Sequence, residues 1–361
     1  MPLTVLNVAY PFAAVGPDAV GGAEQVVSQL DRALVAAGHR SLVVARGDSE
    51  IAGLHLAVPR AAGPIDEAAR ERAWRHHRQA ILAALRNWPV DLVHLHGVDF
   101  ASYLPPPGVR ALVTLHLPPA WYPSGSLEAA RPGLHFHCVS SAQHRACASM
   151  PSLLPPIPNG VALERFASRH AKRRFALLLA CICPEKGVHV ALEAASRAET
   201  PLLIGGEVFP YPAHERYFRE EVALRLQGAH RYLGPVGLRR KRRLLAAARC
   251  LLVPSLAAET SSLVAMEAIA SGTPVIAFRR GALPEIVDHG RSGWLVDDAA
   301  AMADAIRRAD RIPAAECRAI ARARFPLART IDGYFRTYRR LAEAKEQDDD
   351  GASRPRKRAL G

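Results

Sequence analysis

Short aliphatic and β-branched runs alternate with longer amphipathic segments, and the alternation passes through the chain twice. In the first pass, Thr4–Ala9 (TVLNVA), Ser41–Ala45 (SLVVA), Asp91–Leu95 (DLVHL), Ala111–Leu115 (ALVTL) and His135–Val139 (HFHCV) read as strands. Between the first two, Val26, Val27, Leu30, Leu34 and Val35 recur at helical spacing, and Gly38 ends that helix. The second pass gives Phe175–Ile182, Pro201–Ile204, Tyr232–Leu233, Cys250–Val253, Pro274–Phe278 and Gly293–Val296. Strands that are apolar along their whole length and separated by helices belong to parallel sheets covered on both faces. The expected class is therefore α/β, with two doubly wound domains in tandem and a ligand cleft between their strand ends.

The seam falls near Pro155–Arg174, where PPIPNG interrupts regular structure and a basic stretch follows. The expected division is 1–165 and 166–324. A last helix, FPLARTIDGYFRTYRRLAEA, occupies 325–345, with Leu327, Ile331, Tyr334, Phe335, Tyr338 and Leu341 on one stripe. Residues 346–361 mix acidic and basic blocks with almost no apolar residues, and are expected to be a disordered tail.

A length of 361 residues suits two domains, and 49% hydrophobic content is enough for two cores. No apolar run approaches the roughly 20 residues that span a bilayer. The N-terminus lacks a basic n-region, so no secretory signal is read there and a cytoplasmic location is expected. Six cysteines are scattered without paired CxxC spacing. Cys181 and Cys183 are separated by one residue and have no matching second pair, so zinc is not expected and the thiols read as reduced.

The formal net charge is +13, with basic clusters at Arg70–Arg78, Lys172–Arg174, Arg239–Arg243 and Arg354–Arg358. Such runs read as solvated surface, or as attraction to phosphorylated ligands or an anionic membrane face. No nucleic-acid-binding module accompanies them, so a nucleic-acid partner is not expected.

Four constellations carry candidate chemistry. Gly21-Gly22-Ala23-Glu24 follows the first strand and opens a helix, where free N–H groups and a partial positive charge suit a phosphate. The spacing is not GxGxxG, and a ligand-free tight turn fits it as well. In CICPEKG, Lys186 stands at a strand-to-helix turn, placed as a point charge for a phosphate or as an ordinary loop lysine. In ETSSLVAMEAIASGTPVIA, Glu259 lies at a helix entrance and Glu267 inside its apolar run, a costly position for a carboxylate without a partner. His116, in THLPP, falls where a ligand-facing loop begins. No HExxH or carboxylate pattern accompanies it, so no metal is expected.

Taken together these segments resemble the large family of retaining glycosyltransferases called family four, of the GT-B fold. The resemblance rests on Pro184-Glu185-Lys186-Gly187, on Glu259 and Glu267 with seven residues between them, and on Ala270–Ala277, Leu283–Val287 and Gly290–Val296, in that order. It implies two Rossmann-like domains facing across a cleft, with the final helix crossing back to the first. It implies a nucleotide-diphosphate sugar as donor, a hydroxyl acceptor (a sugar, a lipid-linked or a small molecule) and no cofactor. Lys186 would meet the diphosphate. Backbone N–H groups near Ser262, Leu263 and Val264 would hold the diphosphate and sugar. Glu259 would contact the sugar hydroxyls and Glu267 the ribose, Gly21 and Gly22 would approach from the first domain, and His116 would lie beside the transferred sugar. Configuration would be retained by a front-face route without a protein nucleophile.

Two departures matter. The family usually carries an arginine five residues before the motif lysine, and this chain has Cys181. Loss of such a phosphate contact weakens transition-state stabilisation by about 2–4 kcal/mol, with Arg279 or Arg280 as candidate substitutes. The glycine usual after the first glutamate is Thr260 here. Cys181 keeps a low-turnover nucleotide-sugar-binding protein as an alternative, and the shared fold keeps a nucleotide-sugar 2-epimerase.

Overall fold

A computed structural model of the chain describes residues 2–61, 63–128, 131–167 and 170–352. Strands β1 (Thr4–Val8), β2 (Arg40–Arg46), β3 (Leu54–Val58), β4 (Leu92–Leu95), β5 (Ala111–Leu115) and β6 (Leu134–Cys138) form one parallel sheet in the order β3-β2-β1-β4-β5-β6. Strands β7 (Ala176–Leu179), β8 (Leu202–Gly205), β9 (Arg231–Tyr232), β10 (Cys250–Val253), β11 (Val275–Phe278) and β12 (Gly293–Val296) form the second, in the order β12-β11-β10-β7-β8-β9. Counted from its own first strand, each sheet is doubly wound in the 3-2-1-4-5-6 order. Strand order reverses between β1 and β4 and between β7 and β10, and crevices open at such points.

The helices are α1 (Gly22–Ala36), α2 (Glu67–Asn87), α3 (Ser141–Ala146), α4 (Val188–Arg197), α5 (Pro212–Tyr217), α6 (Leu238–Ala247), α7 (Leu263–Ala270), α8 (Leu283–Ile286), α9 (Ala299–Arg308), α10 (Ala314–Arg324) and α11 (Leu327–Ala352). Helix α11 returns to the first domain. Its Tyr334, Tyr338 and Leu341 join Val5, Leu30, Leu34, Leu92 and Leu112 in one buried cluster. Each such side chain contributes about 1.5–3 kcal/mol by burial. The two passages between domains run side by side: Val161 N–H donates to Phe325 O at 2.9 Å and Leu327 N–H to Val161 O at 3.1 Å. Gly160 permits that approach, since a Cβ there would lie 2.8 Å from Pro326 O.

Beneath α11 the first sheet carries a buried polar row. His94 meets Tyr338 Oη at 2.7 Å through Nδ1 and Thr114 Oγ1 at 2.6 Å through Nε2, one nitrogen donating and the other accepting, and Thr114 also meets His137 Nε2 at 2.6 Å. In so dry a place each polar group needs its partner, and here they supply one another.

Several expectations change. Strand β3 was not anticipated; it is a sheet edge whose first four residues are at least partly exposed, so its apolar pattern is weak. Strand β7 ends at Leu179, well before Ile182. Helix α11 continues to Ala352, through part of the segment expected to be disordered, where Lys345, Glu346 and Gln347 are good helix formers. The basic clusters are not uniformly solvated: His77 is buried in the first domain, Lys241 turns inward, and Lys172, exposed as a residue, still donates to the buried Thr273 Oγ1. Residues Arg354–Arg358 lie outside the described residues. Among the described residues no helix is long and apolar enough to cross a membrane.

Candidate functional site

A cavity of about 840 Å³ lies between the carboxyl ends of the two sheets and draws its walls from both domains. Gly21, Gly22, His116, Lys186, Glu259, Ser262, Leu263, Val264 and Glu267 all line it. The sequence spreads these nine residues over most of the chain, and the doubly wound topology gathers them.

After β7 the chain makes a single turn, Pro184–Lys186, and Gly187 follows in the left-handed region at φ 62°. Glycine is required there, because a Cβ would stand 2.2 Å from Pro254 O. The turn thereby presses against the end of β10 and delivers Lys186 to Glu259. Lys186 Nζ donates to Glu259 Oε1 at 2.6 Å, and Ser255 Oγ donates to the same oxygen. Burial alone would pull the Lys186 ammonium down, but the Glu259 charge and hydrogen bond, with smaller help from Cys183 and Cys181, carry it above its usual range. The lysine is a full cation, with 32% of its side-chain surface exposed to the cavity side.

Ser262 caps α7, its Oγ accepting from Ala265 N–H at 3.4 Å. The first N–H groups of α7 therefore face the cavity at the positive end of a helix. Opposite stands the start of α1: a Cβ on Gly22 would lie 3.6 Å from Leu263 Cδ1, so the two helix N-termini nearly touch. Deeper in the wall, Glu267 is 6% exposed and accepts from Lys241 Nζ at 2.8 Å. Burial pushes the Glu267 carboxyl up, and Lys241 opposes that. Sequence reasoning missed Lys241. The signal was present in the period of α6: Arg239, Arg240 and Arg243 are exposed, while Lys241 lies on the inner face.

His116 reaches the cavity from the end of β5. Its carbonyl accepts from Thr260 Oγ1 at 2.6 Å, a bond between domains, and its Nε2 meets His96 Nδ1 at 3.1 Å. Burial, with the neighbouring His137, holds the His116 ring down to about 3, so it is a neutral hydrogen-bonding group and not a proton donor at ordinary pH. Asp18 adds a second bridge, accepting from Leu238 N–H at 3.3 Å.

All six cysteines are free, as expected, but Cys181 and Cys183 do not lie on a strand. Both lie beyond the end of β7, and Cys181 Sγ stands 4.0 Å from His214 Nδ1. Both line the cavity, with Glu185 and with His214 of α5. One ligand atom each from Cys183, Glu185 and His214 lie within 4.8 Å of one another.

Two family models match the chain. "Glycosyltransferase Family 4" matches residues 20–165 and "Glycosyl transferases group 1" matches residues 174–309, so between them they take in most of it. A D-inositol 3-phosphate glycosyltransferase of Nocardioides sp. is 39% identical over 124 residues. That match spans 32% of this chain and only 27% of the relative's length. AviGT4, a glycosyltransferase involved in avilamycin A biosynthesis, superposes with a TM-score of 0.70 at 25% identity, over 95% of this chain and 98% of its own. Anabaena HepE in complex with UDP-glucose has a TM-score of 0.71 at 18% identity, over 96% of this chain and 100% of its own, a likeness of fold.

Proposed function

Because this chain belongs to the group 1, family four glycosyltransferases, we propose that it moves a sugar from a nucleotide-diphosphate sugar to a hydroxyl acceptor with retention of configuration. One observation carries the reading: the Lys186–Glu259 pair and the N-termini of α1 and α7 converge on a single cavity. The diphosphate lies between the two helix ends, where free N–H groups and Lys186 stabilise the charge that develops as the glycosidic bond breaks. Lys186 uses one of its three protons on Glu259 and keeps the others for phosphate oxygens. Glu259 accepts from the sugar hydroxyls and Glu267, with Lys241, from the ribose.

The bond from the anomeric carbon to phosphate breaks, the bond from that carbon to the acceptor oxygen forms on the same face, and the acceptor proton passes to the departing phosphate. Glu259, held by Lys186 and Ser255, orients the sugar and does not attack it. His116 stays neutral and contributes a hydrogen bond beside the sugar. No step calls for a divalent cation between the phosphates. The relative named for D-inositol 3-phosphate supports a polyol or sugar acceptor that carries an anionic group. The exposed Arg239, Arg240 and Arg243, which lie outside the cavity wall, suit an anionic membrane that carries such an acceptor.

The test is release of nucleoside diphosphate from UDP-, GDP-, ADP- and TDP-sugars, without added magnesium or manganese. We expect Lys186→Ala to lower kcat/KM on the active donor by about 10²–10³-fold. Full activity in that variant would remove Lys186 from the phosphate role.

A further inference from the structure

Cys181, which stands where the family carries an arginine, lies with Cys183 in a cluster with the ligand chemistry of a metal centre. Cys181 Sγ lies 4.0 Å from His214 Nδ1, and Cys183, Glu185 and His214 bring ligand atoms within 4.8 Å of one another. Two chain segments that are distant in sequence supply them: the turn after β7 gives Cys181, Cys183 and Glu185, and α5 gives His214. None of the four has a part in the transfer steps above. We propose that Cys181, Cys183, His214 and Glu185 bind one thiolate-preferring divalent cation, with zinc as the reference ion.

The donor set is the reason. Two sulfurs, one imidazole and one carboxylate supply the four ligands of a closed tetrahedral centre, and thiolates select zinc over magnesium or calcium. Metal–ligand bonds of about 2.0–2.3 Å place the ligands of a tetrahedron about 3.5 Å apart. For Cys183, Glu185 and His214 the separations need a contraction of about 1 Å, and Cys181, 4.0 Å from His214 Nδ1, completes the set by a turn of its side chain.

The charges decide what such an ion does. Two thiolates and one carboxylate against a dication leave a net charge of −1, the same as two protonated thiols beside an ionised Glu185. Two protons leave for solvent when the ion enters. The centre therefore adds no positive charge for the diphosphate and does not replace the missing arginine electrostatically. Its effect is mechanical: it ties α5, in the cavity wall, to the turn that ends at Lys186. The site stands whether or not the cavity takes a nucleotide sugar.

The experiment uses the full chain without a histidine tag, loaded with zinc or with cobalt(II), passed through metal-free buffer and assayed by mass spectrometry of the elements. About one equivalent of zinc per chain is expected to remain. Cys183→Ser and His214→Ala are expected to retain at least tenfold less, while Cys147→Ser, which alters a buried cysteine of the first domain, retains as much as the unaltered chain. Zinc should raise the melting temperature of the unaltered chain and leave those two variants unmoved, with all three alike in EDTA. The cobalt spectrum of the unaltered chain decides independently of any variant. Thiolate-to-cobalt charge transfer with tetrahedral bands supports the centre, and the spectrum of an octahedral oxygen-ligated ion overturns it. Retention below about one-tenth of an equivalent, or equal retention in the Cys183→Ser/His214→Ala double variant, also overturns it.

Discussion

Glu259 is fixed through its backbone as well as its carboxylate. Gly281 sits directly beneath it at φ 56°, where an added Cβ would stand 2.1 Å from Glu259 O and 2.6 Å from Glu259 N. Ala282 N–H donates to Glu259 O at 2.7 Å. A side chain at 281 meets both a left-handed backbone and a fixed main chain, so it drives the Glu259 segment toward the cavity. Gly281→Ala is expected to cost more than about 1 kcal/mol of stability and to lower kcat/KM by about tenfold or more, because small misplacements of positioning groups are costly. Urea unfolding and nucleoside diphosphate release check the two parts; unchanged turnover beside reduced stability would show that the position of Glu259 is not limiting. Glu259 and Lys186 were legible in the sequence because each lies in a short segment with its own turn chemistry. Gly281 was not, since the close contact that demands a glycine comes from a distant stretch of chain.

Helices α6 and α7 meet through a buried ion pair, Lys241 with Glu267, whose side chains are 14% and 6% exposed. That pair answers the puzzle of a carboxylate in an apolar helix: its partner comes from the neighbouring helix. Removing one member leaves the other charged and buried, at about 3–5 kcal/mol. Lys241→Met is expected to destabilise the second domain by about that amount, and the Lys241→Met/Glu267→Gln double variant to recover most of it. Urea unfolding midpoints decide, and a double variant no more stable than Lys241→Met would refute the coupling. At this scale the sequence read well wherever burial is two-sided. Strands β4, β5, β10 and β11 are buried along their whole length and were found within a residue or so. It read poorly where tertiary packing overrides pattern: at the exposed edge β3, at Cys181 and Cys183 beyond the end of β7, and at Lys241, one inward residue in a basic run.

The two domains share a topology but not a core chemistry. The first carries four buried histidines, His77, His94, His96 and His137, and the half-buried His116, bound to one another or to Asn7, Thr114, Tyr338 and the carbonyls of Ala9, Ala73 and Cys138. Burial is the leading cause in each case, and it holds His77 and His137 to about 4, His116 to about 3, and His94 and His96 well below their usual range. Unfolding returns all five to the ordinary value near 6.5. Below that pH the unfolded chain binds more protons than the folded one, so stability rises with pH through this window. The contribution is complete above about pH 6.5 and is lost as pH falls toward the folded values, at up to about 1.4 kcal/mol per pH unit for each histidine. Acidification from about pH 7 to about pH 5 is therefore expected to lower the melting temperature, and to open the first domain before the second. Because α11 docks through Tyr338 on His94, protonation there also releases the helix that returns to the first domain. Calorimetry across the pH range, with limited proteolysis to locate the opened segments, checks this. Early cuts in β4, β5 and α11 at low pH are the expected result. A melting temperature flat from about pH 7 to about pH 5 would mean that these histidines find compensating protons in the fold.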